Sequence, residues 1–400
     1  MTKKIIHPDE AARRAWQSFF ILLGGMLGLV VAMGIGRFVF TPILPLMQRD
    51  LGLSHGAAGW LAGLNYLGYL VGALACSLAP ARCGHRLVGI AALLASIATT
   101  FFMAMTQTLW VWGMLRLVGG IASALLFILI SSEVADALAR RRHLPWFGAL
   151  YGGVGLGIAL SGSLVPVFDK VGGWQGTWIG SGLIAVLLAA LGVALGRRRG
   201  SVPAQAVATD SAGGRGKPLW PLAVAYFFEG LGYVVTATFL VAIVAAAPGM
   251  AHLAPYAWVA VGLAAMPSTL LWPRFARRVG TRFALLAAFA LQATGILAGI
   301  GAESMLLVAF SAFSFGATFM GIVALVMAEG GRRMPFAQRR SAAVLTACFG
   351  IGQMLGPPAA GVLADLHHGF GLPLLLAALA IGVGAVFIAL DRGFSDAPQP

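Results

Sequence analysis

The chain has 400 residues, of which 59% are hydrophobic and only 10% charged, and it carries a formal net charge of +14. Soluble domains hold about 25% charged residues, so this composition excludes a water-soluble globular protein and points to lipid as the second solvent. A basic soluble chain would suggest a nucleic-acid partner; here the basic residues form short clusters between apolar runs, and no nucleic acid is expected.

A bilayer crossing takes about 20 mostly apolar residues, and twelve such runs follow one another. The first, 18–41, contains Arg37 and is preceded by Lys3, Lys4, Arg13 and Arg14. It is too long for the apolar region of a signal peptide and reads as an uncleaved first span. Runs at 55–79, 87–105, 108–131, 146–167 and 174–196 complete a first set of six. The stretch 197–218, RRRGSVPAQAVATDSAGGRGKP, has Gly, Pro, Ser and charge without helical periodicity and reads as a flexible linker. Runs at 219–246, 255–273, 283–301, 304–328, 341–364 and 371–390 form a second set. The expected fold is all-α and polytopic, with an N-terminal six-helix bundle at 1–196, a linker at 197–218 and a C-terminal six-helix bundle at 219–400. Gly, Ala and Leu dominate the spans, which permits close helix packing without polar glue.

Positive charge sets the orientation. Of the 27 Lys and Arg residues, all but four fall on one side of the predicted spans. Arg49 and Lys170 lie on the other side, and Arg37 and Arg116 lie within spans. Excess Lys and Arg mark the cytoplasmic side, so a multi-pass protein of the bacterial inner membrane with both termini in the cytoplasm is expected. Cys76, Cys83 and Cys348 have neither disulfide nor metal-ligand spacing.

The two sets of spans repeat one another. A shift of 196 residues lays MGIGRF at 33–38 over EGLGYV at 229–234 and ARCGHR at 81–86 over RRVGTR at 277–282. It also lays Gly120 on Gly316 and Glu133 on Glu329. A shift of 199 lays GIALSG at 157–162 over GPPAAG at 356–361, and Gly153 over Gly352. Six spans return the chain to its starting side, so the repeat is parallel, with an axis along the membrane normal.

With these features the chain resembles the major facilitator superfamily. The loop after the second span, SLAPARCGHR at 77–86, matches that superfamily's G-x-x-x-D-R/K-x-G-R/K-R/K pattern at Arg82, Gly84 and Arg86. The acidic position is Ala81, and Arg277 in the second copy. Arg116 to Gly120 matches R-x-x-x-G in the fourth span, and Gly352-xxx-Gly356-Pro357 in the eleventh matches a glycine-proline motif. The stretch 34–74, GIGRFVFTPILPLMQRDLGLSHGAAGWLAGLNYLGYLVGAL, is similar to the YbfB/YjiJ-type branch. The resemblance implies the major-facilitator fold and a small-molecule substrate, and it marks Arg116 for proton or substrate coupling.

Charged groups within spans are costly, on the order of 3 kcal/mol, and mark function by default. Arg37 lies opposite Tyr233 in the repeat, near the midplane. It reads as the partner of an anionic substrate or of a coupling carboxylate, its planar fork suiting both oxygens, or else as a side chain snorkelling outward, since Pro42 and Pro45 soon end the regular helix. Glu229 shares a helical face with Tyr226 and Tyr233. Low dielectric disfavours a charged carboxylate, so Glu229 reads as a proton carrier or as a static partner of an arginine. The repeat brings Arg37 and Glu229 towards the same interface, to meet directly or through a ligand. Arg116 reads equally as a coupling residue or as a buried arginine bonded to helix carbonyls. Asn65 and Tyr69, with Tyr66 adjacent, and Gln353 with Phe349, either line the site or make helix–helix hydrogen bonds, while Gln292 is expected to be peripheral. Glu133 and Glu329 are expected to pair with loop arginines such as Arg82 or Arg278, with Arg86 nearby, as a gate. His367 and His368 read as a solvated loop.

No phosphate-binding loop, zinc-peptidase motif or nucleophile elbow is present, so no catalytic residue, metal or cofactor is expected and the chain is not read as an enzyme. GVGLG at 153–157 lies inside a span with no preceding strand and reads as close helix packing. The expectation is a monomeric secondary carrier that moves a small organic solute, an anion by the two core arginines, with protons as the driver. The alternative is a proton-antiport efflux carrier for lipophilic or cationic compounds, and the sign of charge around the site separates the two. A receptor or assembly role finds no signalling domain.

Overall fold

The computed structural model describes residues 8–78, 85–196 and 216–394, and every regular element among them is helical. The first span joins α1 (Pro8–Leu29), a π-helical segment at Val30–Phe38 and α2 (Phe40–Leu51). Helix therefore runs on past Pro42 and Pro45, where the sequence suggests an end. Pro42 lies in the first turn of the restarted α register, where a missing N–H costs nothing, and proline such as Pro45 is tolerated inside a membrane helix that is packed among others. The chain turns at Gly52, whose φ of 64° suits glycine and whose N–H bonds the Gln48 carbonyl.

The second to fourth spans are α3 (His55–Leu78), α4 (His85–Phe102) and α5 (Leu109–Arg140). α6 (Gly152–Gly196) is broken at Gly172 and Gly173, the latter with φ of 59°. A Cβ added to Gly180 would lie 2.5 Å from the Phe168 ring. Twelve residues along one straight helix separate atoms by about 18 Å, so α6 is a hairpin of two spans. The eleven helical segments long and apolar enough to cross a membrane thus make twelve spans. The last six are α7 (Trp220–Ala246), α8 (Ala254–Val279), α9 (Thr281–Ala298), α10 (Met305–Arg333), α11 (Gln338–Leu366) and α12 (Gly371–Leu390).

The repeat is visible in backbone contacts. A Cβ on Gly120 of α5 would strike the Asn65 carbonyl oxygen of α3, and one on Gly316 of α10 would strike the Val261 carbonyl oxygen of α8. Both members of the second pair are shifted by 196 residues from the first. Thr41 Oγ1 donates to the Ala237 carbonyl at 2.7 Å, which ties the first span to its own repeat position.

The two sets of helices meet along α3 with α11, α6 with α8, and α2 with α7. Small residues make these seams close. Gly63 lies against the Met354 carbonyl, and Gly155 against the Gly262 carbonyl and the Met266 nitrogen. At the end opposite the chain termini, Asp365 on α11 accepts the His55 and Gly56 N–H groups at 3.0 and 2.8 Å. These are unsatisfied donors at the start of α3, where a carboxylate is well placed. Thr41–Leu44 and Val234–Val244 are continuously buried there, so that end is shut, whereas Tyr69, Tyr151 and Phe349 keep partial exposure further towards the termini. Most of the predicted linker, together with Arg82, Ala81 and Cys83, lies outside the described residues.

Candidate functional site

Arg37 lies in the last turn of the π-helical segment, where every residue is buried. Gly34 makes this possible, because its Cα packs on Gly157 with no room for a Cβ. Such wide turns inside α-helices are frequent at functional positions. The side chain does not snorkel: Arg37 is 4% exposed. Its guanidinium carbon lies 4.1 Å from the Tyr69 ring centroid and 4.6 Å from that of Tyr66, with Phe38 at 5.5 Å. These are cation–π contacts. Its Nε and Nη2 are buried without a hydrogen-bond acceptor. Rings can soften the burial of a guanidinium, but they offer no lone pair to its N–H donors.

Arg116, also buried, lies over the Phe40 ring at 4.6 Å and donates through Nη2 to the Arg37 carbonyl at 3.4 Å. That carbonyl sits where the π register gives way to the α register, so Arg116 braces the junction. Asn65 donates to the Arg116 carbonyl at 2.8 Å and joins α3 to α5, while its Oδ1 has no partner.

On the other side of the interface, aromatic rings stack. Tyr226 and Phe349 are parallel at 4.2 Å and 9°, Phe349 and Tyr233 at 5.4 Å and 6°, and Tyr233 and Phe319 at 6.2 Å and 6°. Phe315 joins Phe319 at 5.1 Å, and Trp258 stacks on Phe315 at 6.5 Å. Phe38, next to Arg37, presents its edge to Phe319 and Trp258, so the aromatic cluster bridges the two sets of helices. Gln353 donates to the Tyr233 hydroxyl. Its own Oε1 and the Tyr226 hydroxyl are buried without partners.

Glu229 is fully buried but does not meet Arg37. Its Oε1 accepts from Gln292 Nε2 of α9 at 3.3 Å, and its Oε2 has no partner. The shared face expected with Tyr226 and Tyr233 is divided: the tyrosines turn to α10 and α11, and the carboxylate to α9. Gln292, expected to be peripheral, is instead buried beside this carboxylate. Glu329 is another correction. It pairs with Arg332 at 2.8 Å and Arg333 at 2.9 Å on its own helix, because i, i+3 and i, i+4 neighbours lie closer than any loop. Arg278 is exposed, as are Arg86 and Glu133. Arg333 also bonds Asp391 at 2.7 Å and the Pro218 carbonyl at 3.0 Å, so one buried guanidinium ties the end of α10 to both chain segments that leave the membrane. Sequence reasoning missed Asp391, Arg333, Trp258, Phe315 and Phe319. Only the i, i+4 spacing of the two phenylalanines could have flagged the aromatic cluster, and such spacing is common in any apolar helix.

Residues 29–389 match the family described as "Uncharacterised MFS-type transporter YbfB". The chain belongs to this family of major-facilitator transporters. It shares its fold with a solved nucleoside transporter, NupG, at a TM-score of 0.73 over 92% of this chain and 98% of that one, with 15% identity. Among curated relatives it is 26% identical over 176 residues to synaptic vesicle glycoprotein 2C of Rattus norvegicus, which is 43% of this chain and 23% of that protein. It is 27% identical over 169 residues to synaptic vesicle glycoprotein 2A of Homo sapiens, 41% of this chain and 21% of that protein. The chain thus spans less than a quarter of the length of these relatives. Family and apolar helices make it a multi-pass membrane protein of the major-facilitator type.

Proposed function

We propose that the chain is a monomeric, proton-coupled carrier of a small organic anion in the bacterial inner membrane, working by alternating access with both termini in the cytoplasm. The observation that carries this reading is Arg37. Its guanidinium is buried near the seam between the two sets of helices, held by tyrosine rings, and among the described residues it has two nitrogens lacking an acceptor and no ion pair to a carboxylate. A carboxylate or similar oxyanion supplies the missing lone pairs in a planar, bidentate match. Thirteen acidic residues against 27 basic ones, with the basic residues gathered on one face, support the cytoplasmic assignment of the termini.

Glu229 supports proton coupling. Carboxyl groups within spans mark proton relays, and this one has a single neutral partner. Its place on α7, between two tyrosines of the aromatic stack, lets a change in its proton reach the anion site through that helix. Arg116, Asn65, Tyr69, Tyr226, Tyr233 and Gln353 support the site around Arg37, and the seams of α3 with α11 and α6 with α8 are the surfaces on which the halves rock. Export of cations is disfavoured because the carboxylate of Glu229 faces α9 and not the seam. The test is binding of organic anions by purified protein: Arg37→Ala is expected to abolish thermal stabilisation by any anion that stabilises the wild type. Equal stabilisation of both proteins overturns the reading.

A further inference from the structure

We propose that the anion is an aromatic carboxylate, its carboxylate on Arg37 and its ring against the stack of Tyr226, Phe349 and Tyr233. The proposal rests on the anion reading above and narrows its substrate class. Tyr226, Phe349 and Tyr233 come from two helices, yet their planes agree within 9°. Phe319, from a third helix, is parallel to Tyr233 within 6°. Packing for volume alone mixes tilted and edge-on pairs, as Trp272, Phe275 and Phe283 do at 76° and 56°. The centroid separations of 5.4 and 6.2 Å leave the rings offset, and Phe349, in the middle of the stack, keeps partial exposure. An offset, parallel face is the geometry that another ring prefers.

The charge stands in the right place for such a ligand. Arg37 is linked to the stack across the interface through its neighbour Phe38, which touches Trp258 and Phe319, the latter itself parallel to Tyr233. The stack is also edged with unused polar atoms: the Tyr226 hydroxyl and Gln353 Oε1 are buried and unpartnered. An aliphatic acid satisfies Arg37 and leaves the ring faces unused, whereas an aryl acid engages both and draws the two sets of helices onto one molecule.

The experiment compares matched acids on the full-length wild-type protein in detergent: benzoate with cyclohexanecarboxylate, and 3-phenylpropionate with 3-cyclohexylpropionate. The members of each pair share a carboxylate and differ in aromaticity, and the saturated ring is the more hydrophobic. Burial alone therefore favours the cyclohexyl acid, while stacking favours the phenyl acid. The expected result is about tenfold tighter binding of the phenyl acids, with the preference lost in Phe349→Leu while the affinity for cyclohexyl acids is kept. Equal or tighter binding of the cyclohexyl acids overturns the aromatic assignment and leaves the anion reading standing. Binding of benzylammonium with no response to any acid, or no response to any of these probes, overturns both. The wild-type comparison decides the question even if the Phe349 variant does not fold.

Discussion

Arg37 and Arg333 are both buried guanidinium groups, yet they stand in opposite electrostatic settings. Arg333 has two carboxylates and a carbonyl around it, whereas Arg37 has rings and two unpartnered nitrogens. The first is a structural tie, and the second is the binding group proposed above. Removing one partner of a buried ion pair costs roughly 3 kcal/mol, because the remaining charge stays uncompensated. Arg333→Met should therefore lower the melting temperature strongly, and adding Glu329→Gln with Asp391→Asn should recover much of the loss; thermal unfolding in detergent reads both. Arg37→Lys keeps the charge and loses the fork, so anion affinity should fall at least tenfold with little change in melting temperature. Glu229→Gln keeps a group that can bond Gln292, so the protein should fold and still exchange anion across the membrane, while uptake driven by a proton gradient is lost. Accumulation at wild-type levels in that variant, measured in vesicles with an imposed pH gradient, removes the proton role.

At the scale of the helices, glycine decides how near two backbones come. Gly120 and Gly316 occupy the same place in the two copies, each against a carbonyl of the neighbouring helix. Gly120→Ala and Gly316→Ala should both destabilise, by about 1–3 kcal/mol from overpacking; a large loss for one and none for the other would contradict equivalence of the copies. The Asp365 clamp on the start of α3 crosses the seam and should hold that end shut. In a background with its cysteines replaced, Asp365→Ala should raise labelling of Val241→Cys by a membrane-impermeant maleimide several-fold, and unchanged labelling would show that the clamp does not control closure. Length and apolarity made the twelve spans legible in the sequence, and the 196-residue shift made the duplication legible. The first span was read short because proline normally ends a helix, and the packing that tolerates Pro45 is tertiary. The direction of Glu229 was not legible: its spacing puts it on one face with Tyr226 and Tyr233, and only the packing of neighbouring helices turns the carboxylate to Gln292 of α9. For the same reason Gln292 passed for a peripheral residue, and Glu329 was assigned to distant loops although its partners stand three and four residues away.

Among the described residues, the helices before and after the predicted linker touch along small-residue seams, α3 with α11 and α6 with α8, and Arg37 and the aromatic stack lie on the two sides proposed to move. The shut end is fastened by Asp365 and by the Thr41 bond to Ala237. At the other end Arg333 gathers the end of α10, the start of α7 and the segment after α12. On the function proposed above, transport has one requirement: the anion must join Arg37 to the opposite set of helices before the seam re-forms on the other side. The most direct test is uptake of a labelled aryl carboxylate into vesicles under an inward proton gradient, with wild type and Arg37→Ala side by side. Accumulation by the wild type, with loss of at least a hundredfold in folded Arg37→Ala, is the predicted result; equal accumulation by both proteins would contradict the account.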